Sequence, residues 1–344
     1  MIDTIYLENC VASYDRVKNI TGRFPEAVRV PCDRYQEVFN PKAQNFRLQK
    51  KRPALILAKK IGTAILPTPE SYGIGGEHNY YFSHMLNCIY DCRYCFLQGM
   101  YRSGHYVVFV NYEHFFSGMS EKLKIHQGED VWFFSGYDCD SLALEPVTGF
   151  VRELLTWLRR HSRAQVELRT KSTQIRALFE TTPLPNVVIA YSLTPDQTAA
   201  TLEHKAPSVA KRLAALAELA QRGWKIGLRF DPVLYELRYQ DLYQSLFEDV
   251  FDRIPEDSIH SITLGPFRMP KPYFRNVARL YPDVALFAGP FESRDKMVSY
   301  SIDCEQQMMS FCHEQLLSHT AANKIYTCSP LSRKFVANRL NHND

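Results

Sequence analysis

The chain has 344 residues, of which 45% are hydrophobic and 23% charged, with a formal net charge of +4. That length and apolar content support a large buried core and exclude disorder for the bulk of the chain. A net charge this small does not by itself point to nucleic acid, and no stretch approaches the roughly 20 apolar residues that span a bilayer.

The opening MIDTIYLENCVASYDRVKN has no basic segment followed by an apolar one, so a cytoplasmic protein is expected. There the nine cysteines stay reduced and serve metal binding or packing rather than disulfides. Residues 1–77 read as an N-terminal appendage. It holds a basic run, RLQKKRPALILAKK at 47–60, with six Lys or Arg and no acid. It ends in GIGGE at 73–77, a linker or turn rather than a phosphate loop, because no strand and helix flank it. Apolar, β-branched and aromatic runs then predict strands over 79–85, 130–135, 164–169, 187–192, 225–230 and 258–264. Helices are predicted over 93–101, 145–161, 172–180, 207–222, 238–253 and 271–280. The clearest, PSVAKRLAALAELAQR at 207–222, opens on Pro and Ser and stops at Gly223. Strand and helix alternating six times imply an α/β fold: a partial (β/α)6 barrel over 78–285, followed by a C-terminal appendage over 286–344. Ligands of such folds bind where the strand C-termini gather. A second basic run, 159–171, crosses one of those ends, and SGYDCD (135–140), RTK (169–171), SLTP (192–195) and RFDP (229–232) lie at others.

The strongest signal is Cys88-Ile-Tyr-Asp-Cys92-Arg-Tyr-Cys95. Three thiolates on one short loop can hold one inorganic centre, and thiolate is the ligand of iron–sulfur clusters. Three protein ligands leave one iron of a 4Fe–4S cubane open to chelate the amino and carboxylate groups of S-adenosylmethionine. One electron then cleaves the sulfonium to methionine and a 5′-deoxyadenosyl radical. Tyr94 supplies the aromatic residue usual before the third cysteine of such loops. Two other readings stand beside this one: a zinc site completed by His84 or His78, and three buried free thiols.

The match extends beyond the cysteines. CIYDCRYCFLQ at 88–98, Tyr106 and VNYE at 110–113 resemble the cluster loop of the spore photoproduct lyase family, within the radical S-adenosylmethionine superfamily. So do VELRTK (166–171), VVIAYSLTP (187–195), EHKAPSVAKR (203–212) and RGWKIGLRFDP (222–232), in order and with similar spacing. The resemblance covers about residues 50–270 of the chain and implies a 4Fe–4S cluster on Cys88, Cys92 and Cys95. It also implies S-adenosylmethionine held by Lys171 and Ser192, with Tyr94 and Asp140 near it, and Cys139 where the family carries a serine. A flavodoxin or ferredoxin would be the one-electron donor, and ultraviolet-damaged DNA the partner.

Two departures bear on the hydrogen atom that the family returns to its substrate. The donor cysteine of the family corresponds to Tyr137, with Cys139 two residues on, and the tyrosine after the third cluster cysteine is replaced by Phe96. Either Cys139, with Tyr137 packed beside it, or Tyr137 itself is expected to be the donor. Three functions follow. The first is a lyase that splits a thymine dimer in DNA, its groove lined by 47–60 and by Arg268-Met-Pro-Lys271-Pro-Tyr-Phe-Arg275. The second is a radical enzyme acting on a peptide, RNA or small molecule. The third is a metal-stabilised nucleic-acid-binding protein without catalysis. Cys304, Cys312 and Cys328 are a weaker candidate for a second cluster.

Overall fold

The computed structural model describes residues 2–39, 41–69 and 72–327. Six strands form its centre: β1 (His78–Phe82), β2 (Val131–Ser135), β3 (Ala164–Thr170), β4 (Val187–Ser192), β5 (Lys225–Val233) and β6 (Ile259–Pro266). Each pairs in parallel with the next, in chain order. The expected partial barrel is therefore present, and its curved sheet stays open. An antiparallel strand, Ile65–Pro67, edges β1, and a parallel strand, Ile325–Thr327, edges β6. The apolar runs of β2 and β4 are buried along their whole length, as parallel strands covered on both faces must be.

Helices cover the outer face. Val209–Gln221 starts where Ser208 accepts from the Lys211 amide, and buries Val209, Leu213, Leu216 and Leu219 against the sheet at the three-and-four spacing of one helical stripe. The 145–161 segment is broken by left-handed Gly149 into Glu145–Thr148 and Phe150–Leu158. Two expected helices shrink to single turns. Ser172 and Thr170 side chains accept from the Gln174 and Ser172 amides, which diverts 172–175 into turns and leaves only Arg176–Phe179 helical. Residues 91–92 pair with 203–204 instead of coiling, so the 93–101 helix reduces to Leu97–Met100. The crossover from β1 to β2 is made by Tyr112–Ile125, whose aromatic run and glycine do not read as a helix.

The inner face carries its own apolar plug. Ile74, Trp132, Phe134 and Val188 pack with Tyr72, Tyr81 and Tyr326. The GIGGE segment is thus part of the barrel filling: a Cβ on Gly76 would stand 2.1 Å from the Trp132 indole, so no other residue fits there. In register with Phe134 and Val188 of that plug, Glu167 forms a fully buried pair with Arg229 at 2.8 Å. Burial alone would raise the Glu167 carboxyl, but Arg229 and Arg169 hold it at about 2.

Outside the barrel, Val28–Cys32, Thr4–Glu8, Leu55–Ala58 and Tyr106–Phe109 form a parallel sheet, extended antiparallel by Met85–Leu86. A second small sheet joins Arg268–Pro270, Met297–Tyr300 and Phe291–Arg294. Both therefore take strands from either side of the boundaries expected at 77 and 285. Among the described residues no helix is long and apolar enough to cross a membrane.

Candidate active site

The C-terminal ends of the strands surround a cavity of about 660 Å³. Cys88, Cys92, Tyr94, Cys95, Tyr137, Cys139, Asp140, Lys171 and Ser192 all line it, so the fold gathers every site residue expected from the sequence.

The cysteine loop is fixed at several points. Asn87, left-handed at φ 71°, donates to the Ser103 and His105 carbonyls and accepts from the Cys88 amide, a conformation asparagine tolerates. Buried Lys50 donates to the Cys88 carbonyl at 2.7 Å and the Tyr90 carbonyl at 3.3 Å. Asp91–Cys92 pairs antiparallel with Glu203–His204. The turn after Cys95 sits so close to the helix Lys271–Leu280 that a Cβ on Gly99 would stand 2.4 Å from the Tyr273 carbonyl.

Burial pushes all three thiols up, Cys88 to about 12, so they lose their protons only to a cationic centre. Among the described residues, the donor atoms that lie within 4.8 Å of one another belong to Glu77, His78 and Glu129. The three thiols share one loop and one cavity, as suits a cluster in which each thiolate binds a different iron. A zinc site completed by histidine is not formed. His84 is stacked on Phe150 at 4.0 Å, with burial holding it down at about 3, and His78 binds Glu129 at 2.6 Å. Neither histidine lines the cavity. Cys312 is buried among Met308 and Leu316 of the main core, and Cys304 is half-buried on the same helix, Ile302–Leu317. Cys328 lies outside the described residues.

Beside the thiols stands a buried polar network that the sequence does not announce. Glu203 accepts from the Tyr94 hydroxyl and from Arg212, and lies 3.8 Å from the Lys171 ammonium. Burial works against the Arg212 charge, but Glu203 more than offsets it. Arg212 also donates to the Ser192 carbonyl at 3.2 Å, and Ser192 lines the cavity. Glu203 and Arg212 are nine residues apart; the one available signal is an arginine on the apolar stripe of its helix.

Asp140 lines the cavity and also ties the framework beneath it. Its carboxylate accepts from the Leu142, Ala143 and Lys171 amides and from the Thr170 hydroxyl. Three of those bonds fall on Oδ1 and one on Oδ2, and together they lock the end of β3 to the loop after β2. The basic run 47–60 also differs from expectation: none of its residues lines the cavity, and Lys50 is inside the protein. Arg268, Pro270 and Tyr273 do line it, as do Arg169 and Met297. Arg268 is paired with Asp231 at 3.1 Å.

Tyr137 and Cys139 both line the cavity, in different surroundings. The Tyr137 ring stands 5.5 Å from Phe96 and 4.6 Å from Tyr81, at the cavity wall. Cys139 is buried in the apolar cluster of the N-terminal sheet, with Met85, Val110, Leu144 and Val147. Burial pushes its thiol well above the usual range.

A family model described as spore photoproduct lyase matches residues 77–304. The spore photoproduct lyase of Bacillus subtilis (strain 168) is 23% identical over 218 residues, 62% of this chain and 64% of that protein. The chain thus aligns with less than two thirds of that relative's length. Two solved structures superpose over 96% of this chain and 98% of theirs. A spore photoproduct lyase double mutant with bound AdoMet and dinucleoside spore photoproduct has a TM-score of 0.81 at 16% identity. A spore photoproduct lyase complexed with dinucleoside spore photoproduct has 0.80 at 16%. At such identities these structures speak for the fold.

Proposed function

Because the chain belongs to the spore photoproduct lyase family, we propose that it is a radical S-adenosylmethionine lyase that splits a thymine-dimer lesion in DNA. The observation that carries this reading is the meeting of three thiols of one loop, Lys171 and Ser192 on one cavity. A 4Fe–4S cluster with S-adenosylmethionine on its open iron supplies, on one-electron reduction, the 5′-deoxyadenosyl radical that takes hydrogen from the lesion. Cys88, Cys92 and Cys95 hold that cluster, and Lys50 and Glu203 keep their loop in place. The Lys171 ammonium pairs with the cofactor carboxylate and the Ser192 hydroxyl with its ribose. Arg169 and Arg268, on the cavity wall, face the phosphate side of a lesion extruded from the duplex, and Tyr273 offers it a stacking surface. Tyr137 returns a hydrogen atom to the thymine radical, keeping a phenoxyl radical that an electron from a flavodoxin or ferredoxin and a proton then discharge.

One observation favours a second reading, a different substrate for the same radical. Phe96 has no exchangeable hydrogen, and the thiol nearest the donor position, Cys139, meets the cavity from within apolar packing.

The test is anaerobic reconstitution with iron, sulfide, dithionite, S-adenosylmethionine and ultraviolet-irradiated DNA. The expected products are 5′-deoxyadenosine and restored thymine, and the Cys88→Ala, Cys92→Ala, Cys95→Ala triple variant should lose the brown chromophore. Release of 5′-deoxyadenosine without thymine restoration selects the second reading. No release at all leaves a binding protein without this catalysis.

A further inference from the structure

Behind the cysteine loop, the helix Phe46–Lys51 and the turn after Glu203–His204 form a surface that lines no part of the cavity. Both elements touch the loop directly: the helix through Lys50, the turn through the pairing of 203–204 with 91–92. They also touch each other, since the Lys205 ammonium donates to the Lys50 carbonyl at 2.8 Å. A short hydrogen-bonded path therefore runs from the surface, through Lys50, to the Cys88 carbonyl.

That surface is positive. Arg47, Lys51 and Lys205 are exposed, and no acid occurs anywhere in 41–60 or 204–211. The acids just beneath are already matched, Glu203 by Arg212 and Asp91 by Arg93. Arg47 and Arg93 both lie over the Tyr281 ring, at 5.7 and 3.8 Å, which joins them into one patch. At its centre Leu48 is 61% exposed, an apolar contact within a charged rim, the anatomy of a transient protein interface.

We propose that this face docks an acidic one-electron carrier protein, the reductant of the cluster assigned to the cysteine loop; the inference rests on that assignment. Charge complementarity supplies the recognition and steers the encounter. The same patch is a poor place for the lesion-bearing DNA, because none of its residues lines the cavity.

The test uses the reconstituted enzyme and the variant Arg47→Glu/Lys51→Glu, with a flavodoxin as the probe. Calorimetry reads its dissociation constant, and stopped-flow absorbance reads oxidation of its hydroquinone. The variant should bind flavodoxin at least about tenfold more weakly at low ionic strength, and wild-type binding should weaken steeply with salt. Cleavage of S-adenosylmethionine driven by dithionite should be unchanged. Unchanged flavodoxin binding with intact dithionite-driven cleavage overturns this proposal alone. So does selective loss of duplex DNA binding, which gives the patch to nucleic acid. A wild-type protein that cleaves nothing under dithionite overturns the cluster assignment and this proposal together.

Discussion

Glu203 is the point where the cysteine loop, the cofactor lysine and the core meet, and Glu203→Gln isolates its charge. Both Glu203 and Arg212 have side chains 1% exposed. The glutamine keeps the shape and one acceptor oxygen, but leaves the Arg212 guanidinium buried among neutral acceptors only, with the Pro207 and Ser192 carbonyls. Breaking a buried pair from one side costs about 3–5 kcal/mol, whereas replacing both members with apolar groups is often close to neutral. The single variant should therefore lose about 3–5 kcal/mol in urea unfolding of the cluster-free protein, followed by tryptophan fluorescence. The double variant Glu203→Gln/Arg212→Met should regain most of that loss. Because Tyr94 loses its charged acceptor, the single variant should also bind fewer irons per chain on reconstitution. A loss below about 1 kcal/mol, or a double variant less stable than the single, would refute the view that this pair carries the loop.

Lys171→Ala should weaken S-adenosylmethionine binding by about ten- to a hundredfold, the worth of one charge-assisted bond, with cluster content unchanged; equal affinity in equilibrium dialysis removes Lys171 from the cofactor site. Tyr137→Phe should cleave S-adenosylmethionine yet give mis-quenched thymine products by mass spectrometry, while Cys139→Ala should repair nearly as the parent does; the reverse ranking returns the donor role to the thiol. Glu145 caps the helix Phe150–Leu158 by accepting from the Val151 and Arg152 amides, and burial raises its carboxyl from 4.5 to about 7. An acid raised in the folded state stabilises it below the unfolded value and loses that contribution as pH rises to the folded one. The stability of the parent relative to Glu145→Gln should thus fall by about 3 kcal/mol between pH 4.5 and 7, and a flat difference would place the carboxyl in contact with water.

The barrel was legible because its strands are buried on both faces, so that VWFFS and VVIAYS read as strands without tertiary information. The cysteine loop was legible because its ligands are local in sequence. What escaped depends on distant partners. Lys50 lies 38 residues from Cys88 in a run that reads as a solvated basic surface, yet its ammonium is taken inside by two loop carbonyls. Asp140 reads as a cofactor neighbour, and the three amides and one hydroxyl that also hold it come from residues whose placement only the fold sets. GIGGE reads as a linker because glycine is equally suited to a turn and to close approach, and only the Trp132 indole decides between them. Cys139 and Tyr137, two residues apart on one irregular loop, have no periodicity from which to tell how each is packed.

The division between what is held and what varies has a physical reading. The loop around Cys88, Cys92 and Cys95 is clamped from outside by Lys50, from one end by Asn87 and from its inner edge by Glu203. Each clamp is buried and hydrogen-bonded, so moving the thiols means breaking several bonds at once. The opposite wall is made of side chains from separate elements: Arg169 on β3, Arg268 after β6, Tyr273 on a helix and Met297 on a small sheet. Replacing any of these alters the wall without disturbing the loop. Radical generation and substrate choice are therefore separable in this fold, as in barrels where function resides in the loops over the strand ends. The Phe96 and Tyr137 rings stand on the seam, 5.5 Å apart. One follows the last thiol and the other lines the wall, so a change in how hydrogen returns to substrate falls at that seam, where it leaves the clamped loop intact.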